Sequence, residues 1–121
     1  MRAFSVMSLG LCLLISSSAF ALSEANDINF EERISNGTVV VDFYSHSCPH
    51  CVKFAPTFRQ VAQDMSSDRT FITLNVKTSP KAAKRHGISR IPTVVIFEDG
   101  NEVKRRTGGG SADSLKSFIQ K

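Results

Sequence analysis

The sequence predicts an alternating α/β domain, a mixed central sheet of about four strands with helices on both faces. Three observations carry the prediction. The runs Thr38–Tyr44, 70–76 and Thr93–Glu98 are β-branched, aromatic and apolar nearly throughout, as strands buried on both faces are. Between them lie stretches whose apolar residues recur near the helical period. The third run ends in Asp99-Gly100-Asn101, a hairpin turn signal, so a fourth strand folds back antiparallel.

A leader precedes the domain. Residues 1–21 read MRAFSVMSLGLCLLISSSAFA: Arg2 supplies a positive start, residues 6–15 an apolar core, and Ala19-Phe20-Ala21 the small-x-small pattern cut by signal peptidase. The apolar stretch falls well short of the roughly 20 residues that span a bilayer, which argues against a membrane anchor. Leu11 before Cys12 is not the small residue a lipoprotein signal needs. Cleavage after Ala21 removes Arg2 and Cys12 and leaves 100 residues, 22–121, with net charge +3. The expected location is periplasmic or secreted, with no stable membrane association after cleavage.

The mature elements follow in order. Residues 27–35 carry Ile28, Phe30 and Ile34 near helical spacing, and Asn36-Gly37 stops that helix. After the strand Thr38–Tyr44, residues 52–65 place Val52, Phe54, Ala55, Phe58, Val61, Ala62 and Met65 at helical spacing, with Pro56 expected to kink them. The strand 70–76 leads to a short helix with Ser79 as N-cap and Pro80 at its first position, running to about His86 before Gly87. Thr93–Glu98 and residues 102–107 form the hairpin. Gly108-Gly109-Gly110 breaks it, and Ser111 or Asp113 caps a last helix ending near Lys121.

With 121 residues, 41% hydrophobic and 21% charged, the chain is one globular domain rather than a disordered or fibrous one. Its 15 Lys and Arg against 11 Asp and Glu are scattered, without the basic stripe and interleaved aromatics of a nucleic-acid binder, so no nucleic acid is expected. Three Cys are present, and cleavage leaves Cys48 and Cys51 in an exported, disulfide-permissive compartment. A Cys-x-x-Cys pair closes too small a loop to cross-link distant chain, so its purpose is chemical.

The run VDFYSHSCPHCVKFAP resembles the active-site segment of thioredoxins, and GISRIPTVVIFEDGNEV resembles the family's second landmark, an Ile-Pro-Thr before a strand. The resemblance covers residues 26–121, leaves only the family's first strand unaccounted for, and lacks the helical insertion of DsbA-type oxidants. It implies the thioredoxin fold and a protein thiol–disulfide oxidoreductase. Cys48, at a helix N-terminus where the dipole favours an anion, is the expected nucleophile; Cys51, one turn deeper, is the expected resolving thiol. No cofactor is expected beyond this pair.

Pro49-His50 departs from the Gly-Pro of ordinary thioredoxins and resembles the Pro-His of DsbA-type oxidants. An imidazole beside Cys48 stabilises thiolate, which makes the pair more oxidising; a solvated His50 without effect is the alternative. Ser47 stands in place of the family's usual Trp. Asp42, an acid inside VVVDFY, matches the family's buried proton-transfer residue, and burial would raise its pKa toward that of a neutral-pH base. Lys77 or another cation pairing with Asp42 is the structural alternative.

Pro92 is expected to follow a cis bond, exposing the backbone of Ile91 for β-type pairing with substrate, while Arg90 puts a cation at the groove's edge or is an ordinary surface residue. His86 ends a helix, where a cation is favoured. His46 in His-x-Cys-x-His-Cys keeps open a copper- or zinc-handling module, or a client-binding one, on the same fold. The expected partners are protein or peptide thiols and disulfides and a redox partner protein.

Overall fold

A computed structural model describes residue 3, residues 9–14 and residues 22–121. The expected cleavage motif at Ala19–Ala21 lies outside the described residues, among which no helix is long and apolar enough to cross a membrane.

The element order is β1 (Ser23–Ala25), α1 (Phe30–Arg33), β2 (Thr38–Tyr44), α2 (Pro49–Met65), β3 (Thr70–Asn75), α3 (Pro80–Arg85), β4 (Thr93–Glu98), β5 (Asn101–Thr107) and α4 (Ala112–Gln120). They build one sheet in the order β1-β3-β2-β4-β5. β3 runs parallel to both β1 and β2, β4 is antiparallel to β2, and β5 is antiparallel to β4. The sheet thus has five strands rather than about four. The extra one, β1, is three residues long and buries only Ala25, so it carries no alternation to read. It forms because Ser23, Glu24 and Ala25 pair with Ile72, Thr73 and Leu74.

The period of two along β2 divides the core. Val39, Val41 and Phe43 point to the face covered by α1 and α3, where they meet Phe30, Ile34 and Phe97. Val40 points to the opposite face, against Phe58 and Val61 of α2 and Leu115 of α4. Asp42 shares that parity and therefore lies on the α2 side. Each fully buried Val, Leu or Phe here contributes about 1.5–3 kcal/mol. α2 continues through Pro56, which sits on its exposed side.

Three local details differ from expectation. α1 is shorter than residues 27–35, because the Asn26 side chain accepts from the Ile28 and Asn29 amides (2.9 and 3.1 Å) and holds that stretch as a turn. Ile28 is consequently exposed rather than core. Ser79 holds the N-cap position of α3 but makes no side-chain cap bond. The Asp27 carboxylate caps instead, accepting from the amides of Lys81 (3.3 Å) and Ala82 (2.7 Å). At the other end of α3 the His86 ring stands edge-on to Phe30 and Phe97 and bonds Glu31 at 2.8 Å. Burial pushes the Glu31 carboxyl up, but the bonds from His86 and Arg85 outweigh it and hold it below its ordinary value.

The hairpin turns as expected: Asp99 and Gly100 both have positive φ, at 49° and 87°, the left-handed pair that Asp-Gly supplies. Asp99 also accepts the Gly37 amide at 2.8 Å, tying this turn to the start of β2.

Candidate active site

β2 delivers the chain through Ser45-His46-Ser47 to the start of α2. Pro49 occupies the first helical position, where its missing N–H costs nothing, and this leaves Cys48 as the N-cap with extended backbone. The Cys48 sulfur takes the place of a capping oxygen and accepts the Cys51 amide at 3.2 Å. The helix is 17 residues long and has no acid in its first turn, so nothing there opposes negative charge on that sulfur. Cys48 and Cys51 are disulfide-bonded, with Cα atoms 5.2 Å apart. Cys48 is half-buried, whereas Cys51 is only 1% exposed.

The loop before β4 faces this pair. The Ile91–Pro92 bond is cis, and the Ile91 carbonyl oxygen lies 3.8 Å from the Cys48 sulfur. Two bonds fix the loop: the Thr93 hydroxyl donates to the Arg90 carbonyl at 2.5 Å, and the Gly108 amide donates to the Pro92 carbonyl at 2.9 Å. Pro92 is buried; Arg90 is exposed and Ile91 half-buried.

Beside the disulfide runs an open groove of about 800 Å³, walled by His50 and Lys53 of α2 on one side and by Arg90 and Ile91 on the other. Phe54, Pro92 and Gly109 line it as well. A Cβ on Gly109 would lie 3.3 Å from the Phe54 ring, so the absence of a side chain there keeps the groove open. Nothing in the sequence marks Lys53 or the glycines at 108–110 as groove-lining residues. Lys53 resembles any solvated lysine on an exposed helix face, and the glycines carry a strand-breaking signal that says nothing of what they approach.

Asp42 is 3% exposed, and its Oδ1 has no hydrogen-bond partner. No cation pairs with it among the described residues, and Lys77 is exposed. Burial alone pushes the Asp42 carboxyl from its ordinary 3.8 up to about 7. Asp42 lines a second groove of about 720 Å³ with Tyr44, His46 and Pro56, on the α2 side of the sheet. At its rim the Tyr44 hydroxyl donates to Glu24, and burial, then this bond, raise the Tyr44 pKa. The His46 ring stands edge-on to Tyr44, 5.2 Å away. Among the described residues no three His, Cys, Asp or Glu side chains converge on a point where a metal could sit.

The fold thus supplies a half-exposed sulfur at a helix N-terminus, its shielded disulfide partner, and, on the α2 side of the sheet, a buried acid whose pKa burial pushes up to about 7. That combination supports thiolate attack followed by a proton-dependent second displacement.

The thioredoxin family model matches residues 21–121. A thioredoxin of Chlamydia muridarum is 37% identical over 93 residues, covering 77% of this chain and 90% of that protein. A thioredoxin of Staphylococcus saprophyticus is 30% identical over 101 residues, covering 84% and 97%. Fold, cysteine pair and relatives agree: the chain belongs to the thioredoxin family and is a protein thiol–disulfide oxidoreductase.

Proposed function

We propose that this chain works outside the cytoplasm, exchanging disulfides with exported proteins through Cys48 and Cys51 and needing no further cofactor. The observation that carries the site assignment is the placement of the Cys48 sulfur, at the N-terminus of α2 and beside the Ile91 carbonyl. The compartment rests on the leader pattern at residues 1–21.

In the reductive direction the Cys48 thiolate attacks one sulfur of a substrate disulfide. A Cys48–substrate bond forms as the substrate S–S bond breaks, and one substrate sulfur leaves as thiolate. Cys51 gives its proton to Asp42 and attacks the Cys48 sulfur. The Cys48–Cys51 bond forms, the second substrate sulfur leaves, and two electrons have passed from protein to substrate. The reverse sequence oxidises a substrate dithiol. Ile91, before Pro92, pairs with the substrate backbone, and Arg90 contacts its flank. A redox partner protein of the same compartment restores the starting state.

His50 sets the direction. An added donor near the Cys48 thiolate stabilises the dithiol form and moves the pair toward oxidant behaviour.

Three measurements test this reading. Insulin reduction should be abolished by Cys48→Ser; activity equal in both proteins, with tight stoichiometric copper or zinc, would favour a metal-handling module. The reduction potential should fall in His50→Ala, by about 30 mV for each 1.4 kcal/mol of lost thiolate stabilisation. A wild-type potential as low as a reductant's and unmoved by His50→Ala would assign the chain to reduction. The exported protein should begin at Leu22, which its intact mass reads directly.

A further inference from the structure

The groove beside the disulfide is charged in one sense only. Lys53 projects from α2 and Arg90 from the facing loop, 37 positions apart in sequence, and both are exposed. Neither forms an ion pair or a side-chain hydrogen bond among the described residues, and His50 adds a third basic side chain to the same walls. None of the residues lining the groove is acidic. Some other surface cations are paired, Arg85 with Glu31, Arg105 with Glu102 and Lys116 with Asp64, whereas Arg59, Lys77, Lys81 and Lys84 are exposed without an ion pair among the described residues, so lack of a partner alone does not set Lys53 and Arg90 apart. What distinguishes the groove is convergence: two cations from segments distant in sequence line one cavity that contains no acid and adjoins the reactive disulfide through His50 and Ile91.

We infer that the groove selects extended peptide segments carrying Asp or Glu beside their reactive cysteine, with Lys53 and Arg90 as the specificity-determining residues. The inference rests on the reading of Cys48 as the attacking sulfur and adds the substrate class. An acidic side chain on either flank of a cysteine docked at Cys48 meets a cation on the α2 wall or on the Arg90 wall. The same field raises the encounter rate of acidic segments and disfavours basic ones. A peptide suits the space better than a small anionic thiol. The groove is about 800 Å³, more space than one small anion fills. The Ile91 backbone beside Cys48 supplies the pairing edge that an extended chain uses.

The test follows the reaction of the purified, reduced protein with peptide disulfides of one sequence, bearing Asp, Gln or Lys on both sides of the cysteine. Glutathione disulfide serves as a fourth substrate. Comparing substrates on one enzyme cancels any change in the intrinsic reactivity of Cys48. At low salt the Asp peptide should react about tenfold faster than the Lys peptide, as a few exposed charge pairs of the usual strength produce. The ratio should shrink toward one at high salt. Arg90→Gln and Lys53→Gln should each lower it about threefold, Arg90→Lys should keep it, and Lys53→Glu with Arg90→Glu should invert it. Equal rates for the three peptides, all of them turned over, overturn the inference and leave the redox reading standing. Glutathione disulfide outpacing the Asp peptide overturns the peptide assignment. No exchange with any disulfide, in wild type and Cys48→Ser alike, overturns the redox reading and this inference with it.

Discussion

Replacing Asp42 by Asn should abolish a loss of stability that the wild-type fold suffers as pH rises from about 4 to 7. Burial raises the carboxyl from 3.8 to about 7, with no partner for Oδ1. Below pH 3.8 folded and unfolded chains both carry the proton, and the group imposes no penalty. Between 3.8 and 7 the unfolded chain ionises while the folded one keeps its proton, so stability falls by up to about 1.4 kcal/mol per pH unit. Above 7 both forms are ionised and the penalty is complete. A shift of about three pH units corresponds to about 4 kcal/mol, which is an upper limit for a site that can relax or admit water. Asn cannot ionise and removes this dependence. Its amide brings a buried donor whose own cost, about 1–3 kcal/mol if unpaired, is the same at every pH. The diagnostic quantity is therefore the slope rather than the absolute difference. Urea unfolding of the oxidised protein should give stability curves whose difference, Asp42→Asn minus wild type, rises from pH 4 to pH 7 and is constant above pH 8. Curves parallel over the whole range would show that Asp42 is not held as a desolvated acid. The same variant should accumulate mixed disulfide between Cys48 and substrate, because Cys51 loses its proton acceptor.

After reduction, alkylation at mildly acidic pH should modify Cys48 and spare Cys51, since only the former is both at the helix N-terminus and reachable; peptide mapping reads the site, and labelling of Cys51 first would reverse their roles. Asp27→Ala should cost about 1 kcal/mol in urea unfolding and speed amide exchange at Lys81 and Ala82, whose N–H groups lose their acceptor; unchanged exchange at both would remove Asp27 as the cap of α3.

Local chemistry alone determined much of this protein. The continuous β-branched runs specify strands buried on both faces, and Asp99-Gly100 specifies the hairpin, because backbone conformation and burial leave their mark within a few residues. Pro49 after Cys48 is compatible with a helix start at that sulfur, since the fixed φ and missing N–H of proline cost nothing in the first turn. The cis bond at Pro92 and the proton-transfer role proposed for Asp42 are readable only through the resemblance of two separated motifs to a family, because neither is implied by composition or spacing.

Other features exist only once the chain is folded. β1 is a strand because β3 offers it an edge, and three residues with one buried side chain have no pattern of their own. Asp27 displaces Ser79 as the cap of α3 from more than fifty residues away, a competition between two carboxylate and hydroxyl acceptors that distance in space decides. Whether Asp42 faces a cation or stands alone depended on where Lys77 points, and the fold turns Lys77 outward, leaving the acid to titrate near 7. The basic groove is of the same kind. Lys53 and Arg90 are ordinary surface residues along the chain and become a pair of walls only when β4 lies beside β2 and brings the Pro92 loop against the start of α2. Side-chain charge is written locally, but what it meets is set by packing of segments distant in sequence.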